Sequence, residues 1–238
     1  FGGLDDEIVK YDPVAGTAVV IANLPSDRIW TSTVWDPDNN CAYIFGGSDI
    51  DEIVKFDPAA TPMVTPNFAT LPDPNTTASA VWDPVNKCAY IFGGCITGHQ
   101  VPNTNIVKFA PTDVGGTAEV VAQLPGKRNK AAAVWDPINN CAYVFGGAAG
   151  AGAYLDEIVK FEAPDIVTAN FSALPATQYY HGAAWDSTNN CAYTFGGYVG
   201  TTGIDDKIFK FDPDATPMAT TLATTLPTAR AMISACPG

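Results

Sequence analysis

The sequence predicts an all-β propeller made of four-stranded antiparallel blades. Three observations carry this. First, "CAYIFGG" at residues 41–47 recurs letter for letter at 88–94, returns as "CAYVFGG" at 141–147 and "CAYTFGG" at 191–197, and leaves a bare "FGG" at 1–3. Second, the leading Phe of each "FGG" stands at positions 1, 45, 92, 145 and 195, so the intervals are 44, 47, 53 and 50 residues, the period of a propeller blade. Third, every unit spells the same four short apolar runs in the same order, separated by turn residues.

Within a unit, the first run ends in "WDP" (Trp35, Trp82, Trp135) or "WDS" (Trp185) and is followed by a polar turn. The second is "CAYxF", closed by two glycines, where a strand leaves a crowded interior and the backbone needs positive φ. The third reads "DEIVKYD", "DEIVKFD", "NIVKFA", "DEIVKFE" and "DKIFKFD" in turn. The fourth is a Thr/Val/Ala-rich run ending in "LP" at Leu24, Leu71, Leu124, Leu174 and Leu226. Each run is β-branched or aromatic and bounded by Asp-Pro, Asn-Asn or Gly-Gly, and no stretch sustains an apolar 3.6 period. Runs apolar on both faces, such as "YIF", suit sheets packed between neighbouring sheets. The expectation is one propeller domain over residues 1–238, with five repeats of which the first and last are incomplete.

With 47% hydrophobic and 16% charged residues the chain is globular rather than disordered. No apolar run approaches the roughly 18 residues of a bilayer span. A formal charge of −13 disfavours nucleic acid as a partner. The chain opens on "FGG", as a mature or trimmed fragment would, so the lack of a visible signal peptide carries no weight.

The double glycines, the aromatic-Asp-Pro of the third strand (Tyr11, Phe56, Phe211) and the "LPxxR" leading into the next unit resemble the Kelch repeat β-propellers over essentially the whole chain. The wording "AVWDPxNNCAYIFGG" is most similar to Kelch-type proteins of prokaryotic cell surfaces; the Trp that commonly follows the third strand in the eukaryotic type is Val or Thr here. The resemblance implies four-stranded blades and commonly a ring closed by a blade shared between the termini. Met232 to Cys236 are then expected as the first strand of a blade whose third and fourth strands are Glu7–Asp12 and Thr17–Asn23, giving five blades, with a six- or seven-bladed parent as the alternative. Some Kelch propellers are copper-radical oxidases, whose site needs His and Tyr converging near the axis. Only His99, Tyr179, Tyr180 and His181 are candidates, so an enzyme ranks third among the functions considered.

The residues themselves show little chemistry. Cys41, Cys88, Cys141 and Cys191 occupy one equivalent position in four units and are expected as free, buried thiols, because packed sheets stand too far apart for a disulfide. The acidic pairs Asp6-Glu7, Asp51-Glu52 and Asp156-Glu157 belong to separate blades, which favours a turn role over a calcium site. No cofactor or metal is implied. Five lysines repeat in the third strand as scaffold, whereas Arg28, Lys127, Arg128, Lys130 and Arg230 fall between "LP" and the next first strand.

Those connections share one end of the blades with the loops from second to third strand, which have two, three, nine, eight and eight residues in successive units. Variable loops on a rigid scaffold commonly carry binding. The expected ligand face therefore comprises Arg28, Trp30, His99, Lys127, Arg128, Lys130, Tyr179, Tyr180, His181 and Arg230, with packing of these side chains against neighbouring loops as the alternative. Aromatic and basic groups suit an acidic glycan or a protein loop. Asn75 and Asn170 head N-glycosylation triplets, which points outside the cell. The expected function is a non-enzymatic binding or adhesion module of a secreted or cell-surface protein. The alternative is a self-assembling subunit of an extracellular layer or fibre.

Overall fold

The computed structural model describes residues 5–96, 101–201, 203–215 and 219–234. Four sheets have four antiparallel strands each, in simple chain order. The first comprises Ser32–Asp36, Cys41–Phe45, Glu52–Phe56 and Val64–Thr70. The second comprises Ser79–Asp83, Cys88–Phe92, Asn105–Thr112 and Gly115–Gln123. The third holds Ala132–Asp136, Cys141–Phe145, Glu157–Glu162 and Ile166–Ala173, and the fourth Gly182–Asp186, Cys191–Phe195, Lys207–Asp212 and Ala219–Thr225. Among the described residues a further sheet has two strands, Glu7–Asp12 and Thr17–Asn23. Among the described residues no helix is long and apolar enough to cross a membrane.

Repeated spelling gives repeated register. Trp35, Trp82, Trp135 and Trp185 stand opposite Ala42, Ala89, Ala142 and Ala192, and Tyr43, Tyr90, Tyr143 and Tyr193 opposite Lys55, Lys108, Lys160 and Lys210. The "WDPxNN" turn is a local hydrogen-bonded device. Asp36 Oδ1 accepts the N–H groups of Asp38 and Asn39, at 3.0 and 3.2 Å, and Asn39 Nδ2 donates to Asp36 Oδ2 at 2.8 Å. The same bonds recur at Asp83, Asp136 and Asp186, and the following residue (Asn40, Lys87, Asn140, Asn190) takes a left-handed φ near +50°.

Each blade shows one face to the preceding sheet and the other to the following one. Tyr43, Phe45 and Ile53 of one blade pack on Ala89, Ile91, Val107 and Phe109 of the next. Equivalent sets join the second blade to the third and the third to the fourth. Ile8 and Leu24 of the two-stranded sheet pack on Ala42, Ile44, Val54 and Phe56. Each fully buried aromatic or branched side chain contributes about 1.5–3 kcal/mol of apolar transfer, so the junctions between blades dominate the stability of the assembly. The four cysteines are buried within these layers and free, as the spacing argument requires; Cys95 is also buried and free.

The first strands of successive blades are neighbours round a central axis. They line a cavity of about 600 Å³ that includes Trp35, Trp82, Trp135, Trp185 and Ser234. The C-terminal segment thus reaches the position next to the axis where a fifth first strand belongs. Met232–Ser234 form no strand, however, and residues 235–238, including Cys236, lie outside the described residues.

Candidate functional site

The double glycines organise the end of the molecule where the variable loops emerge. Gly46 (φ +56°) and Gly47 (φ +84°) lie beneath the connector that enters the next blade: Gly47 N–H donates to Asn75 O at 2.9 Å, and a Cβ on Gly46 would stand 2.2 Å from the same oxygen. Glycine is required here by both φ and space. The same bond joins Gly94 to Arg128, Gly147 to Gln178 and Gly197 to Arg230. Each connector also pairs with the second-to-third-strand loop of its own blade, through Ile29 with Ser48, Thr76 with Cys95, Asn129 with Ala148 and Tyr179 with Tyr198. The two loop sets therefore form one surface.

At its centre the connectors meet in a ring. Thr77 N–H donates to Trp30 O (3.0 Å), Lys130 to Thr77 (2.9 Å), Tyr180 to Lys130 (2.9 Å) and Met232 to Tyr180 (2.8 Å). All five residues are left-handed, with φ between 53° and 60°. Together with the residue after each, they line a mouth of about 200 Å³ on the axis. Trp30 is 38% exposed and Met232 62%. Lys130 Nζ lies 4.9 Å from the Tyr180 ring centroid, a cation–π contact.

Beside the mouth, Tyr179 stacks on Tyr154 (4.4 Å between centroids, 7° between planes) and on Tyr198 (5.2 Å), with Tyr180 against Tyr198 at 6.4 Å. Burial and the Tyr154 hydroxyl push the Tyr179 phenol up to about 12. Below Tyr180, His181 is 4% exposed, and neither ring nitrogen has a hydrogen-bond partner among the described residues. Burial pulls its pKa down to about 4, so the imidazole is neutral at pH 7.

The structure divides the expected face. Trp30, Lys130, Tyr180 and His181 line the mouth, and Tyr179 belongs to the adjoining tyrosine stack. Lys127 and Arg230 are exposed. Arg28 and Arg128 are buried and belong to the scaffold, as the packing alternative anticipates. Arg28 pairs with Glu52 and Arg128 with Glu157, and each also donates to a glycine carbonyl, Gly46 O at 3.3 Å and Gly146 O at 2.6 Å. Desolvation lowers the Arg128 pKa against the opposing pull of Glu157. Neither guanidinium is available to a ligand. His99 lies outside the described residues.

Asn75 is likewise internal: it is 8% exposed and its Nδ2 donates to Gly93 O at 2.9 Å, which leaves a glycan no room in the folded chain. Asn170 is exposed on an outer strand, and its N–H donates to Glu157 Oε1 at 2.7 Å. The acidic pairs therefore serve the turn and strand start, Asp51 and Asp156 through their carbonyls and Glu52 and Glu157 through the arginines. Thr77, Tyr154, Tyr198 and Met232 also belong to this region. The first and last are found by counting one repeat from Trp30, Lys130 or Tyr180; nothing in the local sequence marks the two tyrosines.

No protein-family model matches the chain, and no curated protein does. Among solved structures, YjhT, a Kelch-like β-propeller, superposes with a TM-score of 0.73 at 14% identity, over 92% of this chain and 77% of YjhT. That likeness shows the fold: the chain is a β-propeller.

Proposed function

We propose that the chain is a Kelch-type propeller whose axial mouth binds a ligand, as a recognition or adhesion module of a secreted or cell-surface protein without catalytic activity. One observation carries the reading. Five equivalent mouth positions hold Trp30, Thr77, Lys130, Tyr180 and Met232 in a backbone conformation that glycine adopts freely, while the scaffold around them repeats almost letter for letter. A left-handed non-glycine residue costs roughly 1–2 kcal/mol, so five different retained side chains argue for a use of those side chains.

The groups suit an acidic glycan. Trp30 and Tyr180 offer flat apolar faces to sugar C–H groups, Lys130 offers a cation to a carboxylate, and neutral His181 has both a donor and an acceptor to give. The exposed sequon at Asn170 supports an extracytoplasmic setting. Calorimetry against uronic-acid and sialic-acid oligosaccharides tests the reading. Trp30→Ala, Lys130→Ala and Tyr180→Ala each weaken binding about tenfold, with Asn139→Ala at the opposite end unchanged. Equal binding by the three mouth variants, or loss on changing the turn, overturns the site. Capture of an acidic protein loop with no glycan bound overturns the ligand class.

A further inference from the structure

In each four-stranded blade the loop after the double glycine returns to one fixed corner. Ile50, Asn103, Leu155 and Asp205 donate their N–H groups to the second glycine's carbonyl, at 2.9, 2.9, 2.9 and 2.7 Å. Each also offers its own carbonyl to the connector that enters the next blade, through Asn75, Arg128, Gln178 and Arg230 N–H respectively. The four backbones are therefore equivalent, and the side chains can be compared atom by atom.

Two of them are polar. Asn103 satisfies its corner completely: Oδ1 accepts Asn105 N–H at 2.8 Å, and Nδ2 donates to Gly93 O and Gly94 O at 3.2 and 3.1 Å. Asp205 occupies the same place without an amide nitrogen. Its Oδ1 matches that of Asn103, accepting Asp206 N–H at 3.0 Å, Lys207 N–H at 3.4 Å and Lys207 Nζ at 2.7 Å. By that match, Oδ2 replaces the donor nitrogen on the side of the Gly196 and Gly197 carbonyls. Asp205 is 6% exposed, and no donor among the described residues reaches Oδ2.

Oxygen thus meets oxygen where the second blade has a donor. Gly196 O accepts Gln178 Nε2 at 3.1 Å and Gly197 O accepts Asp205 N–H, so each carbonyl keeps a second lone pair. The Lys207 ammonium sits on the other carboxylate oxygen, and its side chain is 45% exposed. A buried set of oxygens without nitrogen or sulfur suits a hard cation. At calcium bond lengths of about 2.3–2.6 Å, oxygens sharing one ion stand roughly 3 Å apart, close to the separation that Asn103 Nδ2 keeps from its two carbonyls. Magnesium demands shorter bonds in a near-ideal octahedron, which a corner fixed by two consecutive backbone carbonyls does not offer. Among the described residues no three His, Cys, Asp or Glu side chains converge on a metal position, so main-chain oxygens are essential to this one.

We propose that the corner formed by Asp205 Oδ2, Gly196 O and Gly197 O binds one calcium ion, with water completing its coordination. A single carboxylate gives the site the weak, roughly millimolar affinity of extracellular calcium modules. The ion ties together both ends of the loop that carries Tyr198, a member of the tyrosine stack beside the mouth. The inference does not depend on the ligand at the mouth.

The test titrates calcium chloride into the whole chain, first stripped with a chelator, following heat and thermal midpoint. One ion binds per chain and the midpoint rises, while magnesium binds about tenfold more weakly. Asp205→Asn supplies the missing donor: in chelator it melts above wild type, and calcium no longer moves its midpoint. Absence of a calcium-dependent rise in wild type assigns Oδ2 to ordered water and overturns the proposal. An equal rise in Asp205→Asn places the ion elsewhere on the acidic surface and overturns it too. So does a chelator midpoint for Asp205→Asn below that of wild type, because the carboxylate would then be better satisfied without metal than the amide.

Discussion

Lys130 and Tyr180, one repeat apart, are joined twice: Tyr180 N–H donates to Lys130 O at 2.9 Å, and Lys130 Nζ lies 4.9 Å from the Tyr180 ring. The backbone link belongs to the scaffold ring, while the side-chain contact sits at the open mouth. These layers separate by mutation. Met232 shares the left-handed backbone but is exposed, so Met232→Gly releases strain with little lost packing. It raises stability by about 0.5–1 kcal/mol, and Met232→Val, β-branched, lowers it. Denaturant midpoints with unchanged slopes check both.

The buried arginines give the opposite sign. Arg128 and Glu157 lie in the interior with side chains 1% and 16% exposed, so removing either partner strands a charge. Arg128→Ala or Glu157→Ala alone costs about 3–5 kcal/mol. The second blade solves the same position with Asn75 and Asn105. Arg128→Asn combined with Glu157→Asn therefore costs less than either single alanine change, and a double-mutant cycle in urea shows a large coupling.

Much of this architecture was legible from spelling alone. A period near fifty residues with four β runs specifies a propeller, and "NNCAY" and "FGG" specify turn and close approach through residue types with few alternative uses. The site was less legible because "LPxxR" mixes two fates at one spacing. Arg28 and Arg128 turn inward to a glutamate two strands away, while Trp30 and Lys130, two residues further on, face the axis. Linear spacing alone cannot separate them. The matching of Arg28 with Glu52 and of Arg128 with Glu157 was available in the sequence, but it acquires meaning only when the arginine and the third strand are seen to touch. The internal position of Asn75 has the same origin, since a sequon says nothing about which way its amide points.

The thiols test the blade packing. Cys41, Cys88, Cys95, Cys141 and Cys191 are buried and free, and burial pushes the Cys141 thiol up to about 11. Native protein at pH 8 therefore reacts slowly with a thiol reagent, and unfolded, unreduced protein yields at least these five thiols at once. Two or fewer would show that the cysteines are not held in separate layers.

His181 makes stability depend on pH. Its folded pKa of about 4 lies below the ordinary value of 6.5, with burial as the cause. Between these values the unfolded chain binds a proton that the folded chain refuses, so stability rises with pH across the window. The contribution is fully present above pH 6.5, is lost as pH falls through about 4, and amounts to about 3 kcal/mol. Asp12 and Asp186 are held below 3.8 by hydrogen bonds, from Ala15 and Val14 and from Asn189, so their own loss falls at lower pH and leaves the His181 window distinct. Urea melts at pH 7, 6, 5 and 4.5 show the decline in wild type. His181→Gln, which keeps a polar group without the titration, flattens it. An unchanged slope in that variant assigns the pH dependence to another group and removes His181 from its proposed neutral role at the mouth.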